Sequence, residues 1–194
     1  MGFKIGLDID GVVADSFPVF IAELNKHYGK NVTEIDDYDI AKVYGVPWDD
    51  MDSFFNENME YLFSTPEPMA GALETIRYFQ DKGNEIFFVT ARRCGGEERV
   101  TLDWFERHGI PRDKAIFAGG ASKTFAVREL GINVFVEDFM SNALEIASIG
   151  VPVLLLDTPY NQGKTPKGVT RCYNWREIKE LIEEIQQRKV SQNY

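Results

Sequence analysis

The sequence has little cysteine and little histidine, with two of each among 194 residues. Two cysteines do not make a disulfide framework, and no Cys/His spacing is typical of a zinc site. Long apolar runs are missing as well, since none approaches the ~20 residues of a membrane-spanning helix. The apolar stretch near the N-terminus is interrupted by two aspartates, unlike a secretory signal peptide. The sequence therefore predicts a reduced, cytoplasmic protein that does not associate with a membrane.

Positive charge is also scarce. Lys and Arg number 21 against 31 Asp and Glu, which gives a formal net charge of −10. A field of that sign repels polyphosphate backbones, so we expect no nucleic-acid polymer as a partner. A small phosphate ester is not excluded, because its binding site needs only a local cation. The composition, 44% hydrophobic and 27% charged, is that of a globular protein, without an internal repeat or a low-complexity linker.

The most informative stretch lies near the start of the chain. Phe3 to Leu7 are mostly apolar and predict a short buried strand of a parallel sheet. Side chains on a strand alternate, so Asp8 and Asp10 leave the chain on the same side if the strand continues that far. Two carboxylates that close repel each other, unless one takes up a proton or a cation lies between them. Oxygen ligands of this kind suit Mg²⁺, which binds carboxylates, water and phosphate oxygens.

Hydrophobic periodicity divides the rest of the chain into two kinds of segment. Residues 16–65 have helical spacing and no strand-like run. From Ala70 onward helices alternate with strands, which are predicted at 85–90, 115–118, 134–136 and 151–156. Such alternation is typical of an α/β fold with a parallel sheet covered by helices on both faces. Ligands of these sheets bind at the carboxyl ends of the strands. We therefore interpret 16–65 as a small helical cap over that edge, inserted into a core of residues 1–15 and 66–194.

Polar residues follow the later strands. Thr90 ends the second strand and offers a hydroxyl and a backbone N–H to a phosphate oxygen. Lys123 stands at the start of a predicted helix, where it could neutralise phosphate or carboxylate charge. Glu137 and Asp138 form a second acidic pair where the fourth strand ends. Each also has an ordinary explanation, as a helix cap, a solvated lysine or a polar strand exit. Together with Asp8 they place carboxylate, hydroxyl and amine groups at four strand ends.

The order of these groups resembles the four motifs of the haloacid dehalogenase-like (HAD) superfamily. The first motif is Asp8-Ile9-Asp10-Gly11-Val12-Val13, and the others are carried by Thr90, Lys123 and Glu137-Asp138. Within the superfamily the chain resembles the cytosolic 5′(3′)-deoxyribonucleotidase family and its bacterial nucleotidase relatives. Further residues carry that resemblance: Asp15, Val89-Thr90-Ala91-Arg92, Leu156-Asp157-Thr158-Pro159-Tyr160-Asn161 and Trp175. Two features distinguish the chain: Thr90-Ala91-Arg92 is of the bacterial style, and Tyr160 stands where relatives often have Trp.

The resemblance implies a Mg²⁺-dependent phosphatase that works through an aspartyl phosphate. Asp8 would be the nucleophile. Asp10 would protonate the leaving oxygen and later take a proton from water. Mg²⁺ would be held by Asp8, the backbone carbonyl of Asp10 and Asp138, with Glu137 acting outside the direct ligands. Lys123 would shield the attack of one anion on another.

The resemblance covers the whole chain, so it also implies a Rossmann-like parallel sheet with a helical cap inserted after the first strand. It adds Thr90 to the catalytic residues. It marks the neighbouring Ala91 and Arg92 as substrate-binding residues.

The cap segment, residues 16–65, is expected to choose the substrate, because the core offers similar chemistry to every phosphate ester. It contains ten aromatic residues. We expect most of them in the cap's own core. Phe17, Tyr38 and Trp48 are the candidates for stacking on a nucleobase.

Three functions are compatible with this pattern. The first is a 5′-nucleotidase for nucleoside or deoxynucleoside monophosphates. The second is a phosphatase or mutase for a small non-nucleotide phosphate ester. The third is an inactive binding module with the same fold. The presence of the whole set Asp8, Asp10, Lys123 and Asp138 argues against the third, because binding alone needs no general acid.

Overall fold

The computed structural model describes residues 2–192 of the chain. Its six strands are β1 (Lys4–Leu7), β2 (Glu85–Thr90), β3 (Ala115–Phe117), β4 (Val134–Glu137), β5 (Val153–Leu156) and β6 (Val169–Cys172). They form one sheet in the order β3-β2-β1-β4-β5-β6, and every neighbouring pair is parallel. β1 therefore lies in the interior of the sheet, between β2 and β4. The predicted α/β fold with a parallel sheet is confirmed.

Helices fill the connections between the strands. They are α1 (Ser16–Tyr28), α2 (Ile40–Tyr44), α3 (Trp48–Ser64), α4 (Ala72–Asp81), α5 (Gly96–His108), α6 (Thr124–Leu130), α7 (Met140–Ser148) and α8 (Trp175–Gln192). Single 3₁₀ turns lie at Arg112–Lys114 and Pro159–Asn161. No helix in the described part of the chain combines the length and the apolar character needed to cross a membrane.

The sixth strand was not predicted. β6 has only four residues, Val-Thr-Arg-Cys, and its two middle side chains are exposed or half-buried. It pairs with β5 alone, at the edge of the sheet. A short edge strand of mixed polarity has neither a continuous apolar run nor a sustained alternation, so periodicity does not detect it.

The two faces of the sheet are packed by separate sets of apolar side chains. Phe88 and Leu7 belong to one buried cluster, while Phe87 and Phe135 belong to the other. The change of cluster between Phe87 and Phe88 follows from the two-residue period of a strand. Gly6 pairs with Phe87 on one side and Phe135 on the other. A Cβ at Gly6 would overlap the Phe135 ring, so the absence of a side chain there lets that ring lie against the central strand.

The cap segment has a hydrophobic cluster of its own. Its buried members include Leu24, Tyr44, Met51 and Leu62, and the cluster is completed from the core by Val100 of α5. The chain leaves and re-enters the core at adjacent points, because the N–H of Asp15 donates to the carbonyl of Glu67 (2.9 Å) and the N–H of Met69 donates to that of Val13 (2.8 Å). This geometry is that of an insertion. We retain as a proposal the division into a cap of 16–65 and a core of 1–15 and 66–194.

The C-terminal helix supports the loop that follows β1. Trp175, at the start of α8, is buried, and its Nε1–H donates to the backbone carbonyl of Val12 (2.9 Å). Val12 is itself fully buried. That carbonyl has no other hydrogen-bond donor among residues 2–192.

We expect Trp175→Phe to lower the free energy of unfolding by about 2 kcal/mol, because it leaves a buried carbonyl without a donor. The measurement is urea denaturation followed by circular dichroism. Tyr173→Phe is the matched control, since Tyr173 is 64% exposed, and it should leave the midpoint unchanged. Equal midpoints for Trp175→Phe and wild type would show that this hydrogen bond does not stabilise the fold.

Candidate active site

The carboxyl ends of the two central strands place the acidic residues side by side. Asp8 follows β1, and its N–H donates to the carbonyl of Val136 on β4 (3.0 Å). Glu137 ends β4, and Asp138 comes directly after it. The Nζ of Lys123, at the start of α6, lies 2.8 Å from Asp8 Oδ2 and 2.8 Å from Glu137 Oε2. Four predicted site residues are therefore brought together, and three of them are linked by ion pairs.

Lys123 reaches this edge because the loop after β3 is bonded to the loop after β2. The N–H groups of residues 118–120 donate to the carbonyls of Thr90 (2.8 Å), Arg92 (3.1 Å) and Ala91 (3.0 Å). α6 then begins with Lys123 pointing inward, and the residue is only 3% exposed. A buried lysine needs a partner, and the two carboxylates supply it.

The carboxylates of Asp8, Glu137 and Asp138 converge in this buried region, and one oxygen of each lies within 4.8 Å of the others. With all groups ionised, three negative charges face the single positive charge of Lys123. Burial, and then the charge of Glu137, raise the pKa of Asp8 to about 8 against the opposing effect of Lys123. Burial, Glu137 and Asp8 also raise the pKa of Asp138 well above its ordinary value. The cluster therefore takes up either protons or a cation.

The residues present fit a divalent cation. All the donors are oxygens, and the net charge of the ionised cluster is −2. Both oxygens of Glu137 already accept hydrogen bonds, from Lys123 (2.8 Å) and from the N–H groups of Asp138 (3.3 Å) and Phe139 (3.2 Å). No donor within residues 2–192 is bonded to Oδ1 of Asp138. Asp138 is thus better placed than Glu137 to offer an oxygen to an ion. Both oxygens of Asp8, like those of Glu137, already face donors, the N–H of Ile9 at Oδ1 (2.7 Å) and Lys123 at Oδ2 (2.8 Å).

Asp138 is held by residues of the turn that follows the neighbouring strand β5. The Tyr160 hydroxyl donates to its Oδ2, and the Asn161 amide donates to its backbone carbonyl (2.7 Å). Arg171 of β6 in turn donates to Oδ1 of Asn161 (2.6 Å) and fixes that amide. Gly11 has a φ of +72°, and a Cβ there would overlap Oδ2 of Asp138. Sequence reasoning missed Asn161 and Arg171 in this role, because Arg171 lies on the undetected strand.

Asp10 points to a different set of partners. Arg92 donates from Nε to Oδ2 (2.9 Å) and from Nη2 to Oδ1 (2.7 Å), and the Ser16 hydroxyl donates to Oδ1 (2.5 Å). Burial opposes ionisation, but the charge and hydrogen bonds of Arg92 outweigh it and hold the pKa of Asp10 below its usual value. Ser16 was not predicted as a site residue, since a serine at the start of a helix carries no sequence signal for this contact.

The guanidinium of Arg92 is hydrogen-bonded to other side chains of the protein. Besides its bonds to Asp10, its Nη1 donates to Thr101 of α5 (2.9 Å), and its guanidinium lies 4.2 Å from the centre of the Phe63 ring of α3. The side chain is 3% exposed. Its predicted role as a substrate-binding residue stays a prediction, but in this structure all three guanidinium nitrogens donate to Asp10 or Thr101.

Thr90 and Ala91 directly precede Arg92 in the chain. Thr90 is buried at the end of β2, and its hydroxyl oxygen accepts the N–H of Arg92 (3.2 Å). Ala91 is exposed. The roles predicted for both residues stay predictions.

A cleft of about 250 Å³ lies between the cap segment and the core. Six predicted site residues line it: Asp10, Ala91 and Arg92 from the core, and Phe17, Tyr38 and Trp48 from the cap. Tyr38 is stacked on Phe139, with ring centres 3.5 Å apart and an angle of 14° between the rings. Trp48 is 61% exposed, and no aromatic pair within residues 2–192 includes it. Of these three aromatics, Trp48 is therefore the most accessible to a ligand.

These features define a class of protein. They are the features of a HAD-superfamily hydrolase: a parallel sheet with helices on both faces, a helical insertion after the first strand, and acidic groups with a lysine at the strand ends. The crystal structure of a HAD family hydrolase from Deinococcus radiodurans R1 has the same fold. The two align with a TM-score of 0.65 and 16% sequence identity, over 95% of this chain and 96% of that one.

The chain belongs to the family described as "5' nucleotidase, deoxy (Pyrimidine), cytosolic type C protein", whose model matches residues 3–190. It is 32% identical over 184 residues to "Putative nucleotidase BH1399" of Halalkalibacterium halodurans, and the alignment covers 93% of each chain. It is 30% identical over 188 residues to "Nucleotidase CA_C3379" of Clostridium acetobutylicum, with 94% of each chain covered. The resemblance inferred from the motifs is confirmed, and the chain is an enzyme of the phosphatase and nucleotidase class.

We expect Arg92→Met to lower the free energy of unfolding by about 3 kcal/mol, because it leaves the Asp10 carboxylate without its buried partner. Urea denaturation measures the change. Arg112→Met is the control, since Arg112 is exposed and forms only surface ion pairs, and its effect should stay below ~1 kcal/mol. The double variant Asp10→Asn/Arg92→Met should recover part of the loss. An Arg92→Met protein as stable as the Arg112→Met protein would contradict this account.

Proposed function

We propose that the protein is a cytoplasmic, Mg²⁺-dependent 5′-nucleotidase that hydrolyses nucleoside or deoxynucleoside monophosphates through an aspartyl phosphate. The observation that carries the proposal is the contact of Asp8 with Lys123 beside Asp138, in a chain of a nucleotidase family. The names of the two bacterial relatives agree with this substrate class. The partner is then a small-molecule phosphate ester and not a nucleic-acid polymer.

Asp8 and Asp138 would hold the Mg²⁺, together with the backbone carbonyl of Asp10. Glu137 would not bind the ion directly, but would act through its bond to Lys123. Mg²⁺, when bound, would supply positive charge that stabilises the phosphoryl oxygens during transfer. The net charge of −2 on the ionised cluster matches the charge of this ion.

Asp8 is oriented for attack by two donors. The N–H of Ile9 donates to Oδ1 (2.7 Å), and Lys123 lies 2.8 Å from Oδ2. An oxygen of Asp8 forms a bond to phosphorus while the bond from phosphorus to the nucleoside oxygen breaks. Lys123 offsets the repulsion between the carboxylate and the phosphate. The product of this half-reaction is a phosphorylated Asp8 and a nucleoside.

Asp10 moves the protons. In the first half it donates a proton to the leaving oxygen. In the second half water attacks phosphorus, the bond to Asp8 breaks, and Asp10 takes the proton from that water, so inorganic phosphate, the ionised Asp8 and the protonated Asp10 that began the cycle are restored. The hydrogen bonds from Arg92 and Ser16 favour the ionised form of Asp10. That is the form required to accept the proton.

The cap segment would select the leaving group. Trp48 is the residue we propose to stack on the base, because it is exposed at the cleft and unpaired with other aromatics among residues 2–192. Phe17 and Tyr38 line the same cleft, with one face of Tyr38 occupied by Phe139. A sugar phosphate lacks a ring system that could use the Trp48 face. The alternative function, a phosphatase or mutase for a small non-nucleotide ester, thus differs in its use of Trp48.

We expect Asp8→Asn to abolish hydrolysis of p-nitrophenyl phosphate and of nucleotides, and we expect a chelator to abolish the wild-type activity until Mg²⁺ is restored. The reason is that Asp8 supplies both the attacking oxygen and an oxygen for the ion. Initial rates of phosphate release measure both effects. Asp113→Asn is the control, because Asp113 is exposed and lies in the 3₁₀ turn before β3. Turnover by Asp8→Asn at the wild-type rate would refute the aspartyl-phosphate mechanism.

We expect the wild type to prefer nucleoside 5′-monophosphates to ribose 5-phosphate, and Trp48→Ala to narrow that preference by about tenfold, since stacking of one base contributes ~1–3 kcal/mol. The measurement is kcat/KM for both substrates. Tyr61→Ala is the control, because Tyr61 is also exposed on α3 but does not line the cleft. A wild type that prefers ribose 5-phosphate would support the alternative function. If Trp48→Ala keeps the wild-type preference, only the proposed stacking role of Trp48 is wrong.

A further inference from the structure

The same cleft carries a polar pair that the mechanism does not use. Asp52 of α3 and Arg93, in the loop after β2, both line it. Asp52 Oδ1 and Arg93 Nη1 are 3.8 Å apart. That distance is too long for a hydrogen bond between them. One acceptor and one donor thus stand side by side, one from the cap segment and one from the core.

Arg93 is held rigidly on its other edge. Its backbone N–H donates to Glu97 Oε2 (2.6 Å), its Nε donates to Glu97 Oε1 (2.6 Å), and its Nη2 donates to Asn56 Oδ1 (2.6 Å). Within residues 2–192 no hydrogen bond is formed by Nη1. A guanidinium that is already bonded through Nε and Nη2 loses less conformational freedom when Nη1 binds a ligand than a free one would.

Asp52 is oriented by one hydrogen bond. The Asn56 amide, one helical turn along α3, donates to Asp52 Oδ2 (2.9 Å). Its Oδ1 accepts no hydrogen bond from the described residues. Asn56 therefore bridges Asp52 and Arg93, and it orients the free acceptor and the free donor relative to each other.

We propose that Asp52 Oδ1 and Arg93 Nη1 read the hydrogen-bonding edge of a nucleobase whose face stacks on Trp48. The inference rests on the proposed nucleotidase function. A base presents a ring N–H beside a carbonyl, or an amino group beside a ring nitrogen. Either arrangement gives one donor for Asp52 and one acceptor for Arg93. Trp48 lies four residues before Asp52 on α3, so both project from one side of that helix.

The pair would also make binding of the base depend on the position of the cap segment relative to the core. Because one group belongs to α3 and the other to the core, only a base that spans both can bind them together. A ribose 5-phosphate or a p-nitrophenyl phosphate has no such edge. Discrimination between nucleotides and these esters would then depend on Asp52, while the chemistry at Asp8 would not.

The test compares uridine and inosine 5′-monophosphates with their N3-methyl and N1-methyl derivatives, in which the ring N–H is replaced. For the wild type, methylation should lower kcat/KM by about tenfold, the effect of one hydrogen bond to a charged group. Asp52→Ala should lose a similar factor with the unmodified nucleotides and lose nothing more on methylation. Its kcat/KM for ribose 5-phosphate and p-nitrophenyl phosphate should stay at the wild-type value. Asp49→Ala, on the same helix but away from the cleft lining, should match the wild type throughout.

The outcomes separate this inference from the proposed function. If the wild type hydrolyses none of these esters, or prefers ribose 5-phosphate, the proposed nucleotidase function itself is wrong. A wild type that prefers nucleotides but tolerates methylation would overturn only the Asp52–Arg93 subsite. A methylation penalty that persists in Asp52→Ala would overturn it as well. Circular dichroism of Asp52→Ala establishes that this exposed substitution leaves the fold intact.

Discussion

The imbalance of charge at the ends of β1 and β4 constrains much of this structure. Three buried carboxylates share one buried ammonium, so the site is stable only with added protons or a cation. Several unrelated parts of the chain serve to keep the groups in place. The loop after β3 brings Lys123 inward, β6 anchors the amide behind Asp138, and Gly11 leaves room for its carboxylate. A phosphatase needs such an arrangement, because an anion must attack another anion.

The boundary between cap and core is organised around a second charged pair. Asp10 and Arg92 lie where the cap segment leaves and re-enters the core, in contact with Ser16 of α1 and Phe63 of α3. The residue that we propose moves protons is therefore hydrogen-bonded to Ser16 at the start of the cap segment, and its partner Arg92 contacts Phe63 near the end of that segment. A change in the position of α1 or α3 acts directly on the partners of Asp10. The proposed substrate choice and the proposed proton transfer would therefore depend on one connected set of contacts.

The parts of the fold that follow from periodicity could be predicted well. β2 coincides with its predicted range, residues 16–65 contain helices and no strand as predicted, and Lys123 stands directly before α6. These segments carry a clear local pattern of apolar residues, which is what periodicity detects. β6 could not be predicted because its stability comes from pairing with β5. The separate hydrophobic cluster of the cap was anticipated from its aromatic content, whereas its contact with Val100 depends on how α5 packs.

The candidate site divides in the same way. The sequence by itself determined the chemical groups and their order at the strand ends, because parallel strands deliver whatever follows them to one edge. The tertiary structure alone decided which groups touch. Arg92 donates to Asp10 and Thr101, Tyr38 is stacked on Phe139, and Trp48 is exposed. Such pairings join residues that lie tens of positions apart, so their choice depends on packing that no local pattern records. The same holds for Asp52 and Arg93, which become neighbours only when α3 packs against the core.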